Sequence, residues 1–181
     1  MRSVGVDDGA FQPSQKSKQR TLLVAVLFDD LRLLSVKVGR IEVDGTDAND
    51  VIRSLLRRIS CDAVMLSGIS FGGFNVVDID ELSKTLRRPV IAVTGERPHN
   101  EEVRTALRDH FADWKDRWRM VRSAGRIYSV TLRNEPRLYF EVQGATCLFA
   151  KKAITSTAVI SRLPEPVRVA RILARGLSGL S

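Results

Sequence analysis

Three apolar strand patterns, Ser3–Val6, Leu22–Phe28 and Leu33–Val43, follow one another before any helical period begins. Runs of this length and composition mark half-buried strands. A polar loop, Gln12–Gln19, separates the first two, and a tight Asp29-Asp30 turn separates the next two, so the opening reads as an antiparallel meander. The period then changes. Val51, Ile52, Leu55, Leu56 and Ile59 fall on one helical face, with Arg53, Arg57 and Arg58 turned outward. Asp47 reads as the N-cap of that helix, with Asp50 three residues on.

Beyond it the chain alternates. Asp62–Leu66 is a short apolar strand, Gly68–Asn75 a glycine-rich connection, and Asp78 opens a helix with Glu81 at capping-box spacing. Pro89–Thr94 is another buried strand, and a further helix begins near Asn100. Arg126–Leu132 and Leu138–Val142 form a hairpin around Asn134-Glu135-Pro136, and helices near Ala145–Ala153 and Glu165–Leu177 close the chain. The order β-β-β-α-β-α-β-α, with helices on both faces of a mixed sheet and an added hairpin, is that of the ribonuclease H-like α/β folds. In such a sheet the C-terminal ends of the first and fourth strands lie side by side, which makes Asp7 and Ser67 expected neighbours.

The 181 residues suit one domain, 1–181, with a substantial core, and 44% hydrophobic against 28% charged residues is a globular balance. The longest apolar stretch, Ala63 to Val77, is too short to span a bilayer, and the N-terminus has no signal-peptide pattern; a cytoplasmic protein with no membrane partner is expected. Two cysteines, Cys61 and Cys147, without a CxxC or a Cys/His cluster, argue against a disulfide scaffold or a zinc site. The net charge of +8 admits two readings, a polyanionic partner such as nucleic acid, or solubility alone.

Asp7 and Asp8 end the first strand in Gly5-Val6-Asp7-Asp8-Gly9, where a carboxylate on a rigid support is a natural Mg²⁺ ligand. Neighbours on a strand point to opposite faces, so at most one of them looks toward any given site. Gly5-Val6-Asp7 resembles the metal-binding first-strand motif of endonuclease V, a nuclease of inosine-containing nucleic acid, and Arg162-Leu163-Pro164-Glu165-Pro166-Val167-Arg168-Val169-Ala170 resembles its C-terminal signature. A closer resemblance is to a mostly archaeal, functionally uncharacterised family with an endonuclease V-like core. It rests on Gly5-Val6-Asp7-Asp8-Gly9-Ala10-Phe11, Val43-Asp44-Gly45-Thr46-Asp47-Ala48 and Phe71-Gly72-Gly73-Phe74-Asn75-Val76-Val77-Asp78. The resemblance implies a nucleic-acid-binding protein and a Mg²⁺-dependent nuclease chemistry. Asp7 and Asp44 would be catalytic, with Asp7, Asp8 and Asp47 at the metal. Arg168, Arg171 and Arg175 would contact phosphate, and Ser67, Gly68 and Asn75 would line the site.

The chain departs from endonuclease V at decisive positions. Ser67 stands where the nuclease has an Asp, Arg171 where it has a His or Asp, and Thr94 where it has a Lys. A hydroxyl is a far weaker Mg²⁺ ligand than a carboxylate, and a cation beside the site repels the metal. Simpler structural roles stand beside the functional ones. Asp8 and Asp44 precede glycines and suit turns, Asp47, Asp50 and Asp78 suit helix starts, and Asn75 suits a loop tie. Lys115, Arg117, Arg119, Arg122 and Arg126, interleaved with Trp114 and Trp118, suit either phosphate and base contacts or a solvated helix face. Two alternatives to a nuclease remain open: a non-catalytic interaction domain, and an enzyme of a small phosphorylated metabolite.

Overall fold

A computed structural model describes residues 1–11, 19–132 and 135–179. Most of the Gln12–Gln19 loop and Asn134 of the hairpin turn therefore lie outside the described residues. Strands β1 (Arg2–Asp8), β2 (Arg20–Asp29) and β3 (Arg32–Glu42) form the expected antiparallel meander. Then come α1 (Ala48–Leu56), β4 (Ala63–Leu66), a small β5 (Ser70–Phe71) and β6 (Asn75–Val76) hairpin, α2 (Ile79–Leu86) and β7 (Val90–Thr94). Helices α3 (Asn100–His110) and α4 (Trp114–Ser123), strands β8 (Tyr128–Val130) and β9 (Leu138–Gln143), and helices α5 (Cys147–Thr157) and α6 (Glu165–Ser178) complete the order.

The main sheet runs β3-β2-β1-β4-β7-β9-β8, with β4 parallel to both β1 and β7 and the β9–β8 hairpin added antiparallel at the far edge. One face carries Val4, Val6, Leu23 and Ala25 against Ile52 and Leu56 of α1 and Ile79 and Leu82 of α2. On the other face Val24, Val26 and Phe28 meet Ala170 and Ala174 of α6, while Met65, Ile91 and Phe140 meet Ala150, Ala153 and Ile154 of α5. Because β1 and β4 run in register from Ser3–Ala63 to Val6–Leu66, their C-terminal ends finish together.

The alternation along β1 decides what each face can hold. Gly5, Asp7 and Gly9 look toward α6, while Val4, Val6 and Asp8 look the other way. A Cβ at Gly5 would sit 2.0 Å from the carbonyl carbon of Pro166, and one at Gly9 would sit 2.0 Å from Ser178 Oγ. The helix therefore lies on bare backbone. Gly5→Ala forces backbone apart and should cost at least about 3 kcal/mol, a fall in Tm of roughly 6–12 °C. The control is Gly176→Ala on the same helix. No atom lies within 4 Å of a Cβ there, so that change should stabilise by about 0.5–1 kcal/mol. Thermal unfolding of the two variants checks the pair; equal Tm values would contradict the packing described.

Candidate functional site

The end of β1 is tied to its neighbours by one guanidinium. Asp7 is 5% exposed. Its Oδ2 accepts from Arg171 Nε at 2.8 Å, and its Oδ1 accepts the backbone N–H of Asp8 at 2.9 Å. Arg171 Nη2 donates to Ser67 Oγ at 2.6 Å, and the Ser67 N–H donates to Val6 O at 3.0 Å. Asp7, Ser67 and Arg171 thus form one unit across β1, β4 and α6, and the expected proximity of Asp7 and Ser67 is present. Nη1 of Arg171 makes no hydrogen bond among the described residues, and the side chain is 37% exposed.

Asp8 points away from α6 and accepts the Gly72 N–H. Burial pushes its carboxyl up to about 6, against the pull of that N–H, and the neighbouring Asp7 charge adds to the rise. Asp44 sits in a turn at φ 56°, accepts the Phe74 N–H at 2.8 Å through Oδ1, and donates its own N–H to Gly72 O. Asp47 occupies the N-cap position of α1 without capping it through its side chain. Its Oδ1 accepts instead from Asn75 Nδ2 at 2.7 Å and from the Glu42 N–H at 3.1 Å. The cap comes from across the fold: fully buried Asn75 accepts the Ala48 N–H at 3.1 Å.

The basic stripe on α6 also divides. Arg168 is held by Nε and Nη2 to the buried carboxylate of Glu165, Arg171 belongs to the clamp, and exposed Arg175 makes no ion pair among the described residues. In the α4 region Arg117 is buried. It donates to the carbonyls of Asp44, Gly45 and Phe74 at 3.0, 2.8 and 2.6 Å, stapling the β3–α1 turn to the small hairpin. Lys115, Arg119 and Arg122 border a shallow cleft with Trp118, which packs with Trp114 against the core around Leu107.

The Mg²⁺ that the endonuclease V resemblance implies does not fit this arrangement. A Mg²⁺ site needs hard oxygens converging in near-octahedral geometry. Here one Asp7 oxygen is taken by a guanidinium, Ser67 offers a hydroxyl already bound to that cation, and both Asp44 and Asp47 accept from the protein itself. Among the described residues no three His, Cys, Asp or Glu side chains gather as a metal-holding group.

One residue escaped the sequence reading. Glu141 on β9 is 4% exposed and lines a cavity of about 380 Å³ shared with Ser67, Gly68 and Thr94. Its only signal was an acid inside the apolar strand Leu138–Val142.

A seven-strand mixed sheet in which an antiparallel three-strand meander leads into parallel β4 and β7, with helices on both faces, defines a ribonuclease H-like fold. Residues 1–178 match the family model described as Endonuclease dU, and the chain belongs to that family. A UPF0215 protein of Methanothermobacter thermautotrophicus is 39% identical over 183 residues, covering 98% of this chain and 88% of the relative. An Archaeoglobus fulgidus protein of unknown function superposes with a TM-score of 0.85 at 28% identity, over 97% of each chain. Endonuclease V of Ciona intestinalis, in complex with a 24mer DNA containing an inosine, superposes with a TM-score of 0.60 at 12% identity, over 99% of this chain and 87% of that one. The fold is that of endonuclease V.

Burial pushes the Glu141 carboxyl from 4.5 up to about 7, with its own backbone N–H opposing. The folded protein then keeps this proton to about pH 7, whereas the unfolded chain releases it near the ordinary value. Stability accordingly declines as pH rises through that window and is level above it. Glu141→Gln should be more stable than the parent by about 2–4 kcal/mol at pH 8, with the difference fading toward pH 4. Urea unfolding across pH measures it, and a difference independent of pH would contradict the burial argument.

Proposed function

We propose that this protein binds nucleic acid at the end of the sheet where β1, β4 and β7 finish, with deoxyuridine-containing DNA as its preferred target. The observation that carries the reading is the Arg171 guanidinium between Asp7 and Ser67. It pairs with the Asp7 carboxylate and leaves Nη1 without a hydrogen bond among the described residues on a part-exposed side chain, which suits the approach of a phosphate. Arg175 lies one turn further along the same helix, and the net charge of +8 favours a polyanion. The family's description as an endonuclease of dU and the inosine-containing DNA held by the Ciona endonuclease V support a damaged or deaminated strand as partner.

A second reading, cleavage of that strand, draws on the family's description and on Asp8, a carboxyl pushed up to about 6 beside Asp7. Such a group is suited to exchange a proton near neutral pH. With Arg171 in place no step through a metal ion follows from the residues present.

Fluorescence anisotropy with single-stranded and duplex oligonucleotides, unmodified or containing deoxyuridine or inosine, tests the proposal. Affinity should fall linearly with salt on a log–log plot, and Arg175→Ala should weaken all sequences alike and flatten the slope by about 0.7–0.9. Deoxyuridine should bind more tightly than its unmodified counterpart. Absence of salt-dependent binding would overturn the reading. Incubation of the strand with and without Mg²⁺ or Mn²⁺ decides the second reading, since cleavage abolished by Asp8→Asn with oligonucleotide binding retained would establish it.

A further inference from the structure

We infer that the cavity beside Ser67 is a nucleobase pocket and that Glu141 is the residue that reads the edge of the base. The cavity, about 380 Å³, lies within the size range of small-ligand sites. Its walls are mostly apolar: Ile69, Phe74 and Val76 from the small hairpin region, Val103 from α3 and Val121 from α4. Such walls suit the faces of a planar heterocycle, which gain from dispersion and stacking without demanding hydrogen bonds. The floor opens toward Ser67 and Gly68 at the end of β4. Ser67 both lines the cavity and accepts from Arg171 Nη2, so the clamp stands at the cavity's edge, where the phosphate of a bound nucleotide would meet it.

Glu141 makes the cavity a recognition site rather than a packing defect. Its side chain is buried, lines the cavity, and has no ion pair among the described residues. A buried carboxyl without a partner is costly, and among the described residues only its own backbone N–H offsets that cost. Glu96 and Arg97, both exposed, are the other charged residues lining the cavity. Beside them, β7 contributes Thr94, α3 Asn100 and Val103, and α4 Val121, none of which carries a charge; Asp80, Glu81 and Lys84 of α2 do not line it.

A neutral carboxyl presents an O–H donor next to a carbonyl acceptor. That pair matches a ring edge on which an N–H lies beside a C=O, as in uracil and hypoxanthine, and forms two parallel hydrogen bonds with it. An ionised carboxylate only accepts, so it repels the carbonyl of the same edge. Burial that pushes the carboxyl up to about 7 keeps the donor available near neutrality. The strand-binding role of the pocket rests on the proposed function, while binding of a free nucleoside stands apart from it.

The test is a titration of ¹⁵N-labelled protein with free deoxyuridine, followed by NMR from pH 6 to pH 9. Saturable shifts are expected at Ser67, Gly68 and Val121, with affinity falling about tenfold per pH unit above about 7. N3-methyl-deoxyuridine should bind at least tenfold more weakly, and deoxyribose 5-phosphate should leave Val121 unmoved. Glu141→Gln, whose amide also presents a donor beside an acceptor, should bind with no pH dependence in this range. Glu141→Leu should fold, with a normal amide spectrum, and not bind. Absence of saturable shifts at millimolar deoxyuridine, or binding by Glu141→Leu equal to the parent, would overturn the inference. So would an unchanged pH profile in Glu141→Gln. Nucleoside binding without any oligonucleotide binding would sink the proposed function and leave the pocket intact. Oligonucleotide binding indifferent to Glu141→Leu, with no nucleoside binding, would sink the pocket and leave the proposed function intact.

Discussion

Gly5 and Gly9 let α6 lie against β1 with no side chain between them, and that close approach puts Arg171 over the end of the strand. A larger residue at Gly5 would meet the Pro166 backbone and lift the helix, and the guanidinium would no longer reach both Asp7 on β1 and Ser67 on β4. The buried carboxylate of Asp7 needs a partner, because an unpaired charge in the interior costs several kcal/mol. The fold supplies that partner as a covalent part of the chain. Packing and electrostatics at this end of the molecule are therefore one constraint, set by two glycines and one arginine.

The same interaction changes what the fold can do. In a ribonuclease H-like nuclease, carboxylates at the ends of neighbouring strands attract divalent cations, which then activate water. Here the β4 position is a hydroxyl and the charge opposite Asp7 belongs to an arginine. An arginine cannot release or polarise water as a metal does, but its remaining N–H groups recognise phosphate well. The balance moves from cation binding toward anion binding without any change of topology. The nearby cavity, with its buried Glu141, is where we propose that a base, rather than a metal, meets an acid.

Local patterns in the sequence carried the framework. The meander, the helical face of Ile52 and Leu56, and the Asp78 cap were readable because each depends on residues within a few positions. Asp78 Oδ1 does accept the N–H groups of Asp80 and Glu81, although its own N–H goes to Asn49 rather than to Glu81. The neighbourhood of Asp7 and Ser67 followed from strand order, and the resemblance to endonuclease V pointed at Arg171. What the sequence could not disclose is long-range exchange of partners. Asn75 caps α1 from 27 positions away, while Asp47 accepts from Asn75 Nδ2 and the Glu42 N–H instead of capping the helix itself. Arg117 looks like an outward cation on a basic helix, yet its guanidinium is spent on three carbonyls of two other loops. Glu141 lies on β9, and cavity walls around it, Val103 of α3 and Val121 of α4, come from distant positions in the chain.

The Arg171 guanidinium holds the place of a cation at Asp7. A crystal of the protein soaked in Mn²⁺ and measured at the manganese edge tests it directly. Arg171 should remain in contact with Asp7 and Ser67, with no anomalous peak at coordinating distance from either Asp7 oxygen. A peak about 2.0–2.3 Å from Asp7, with Arg171 swung away, would contradict it.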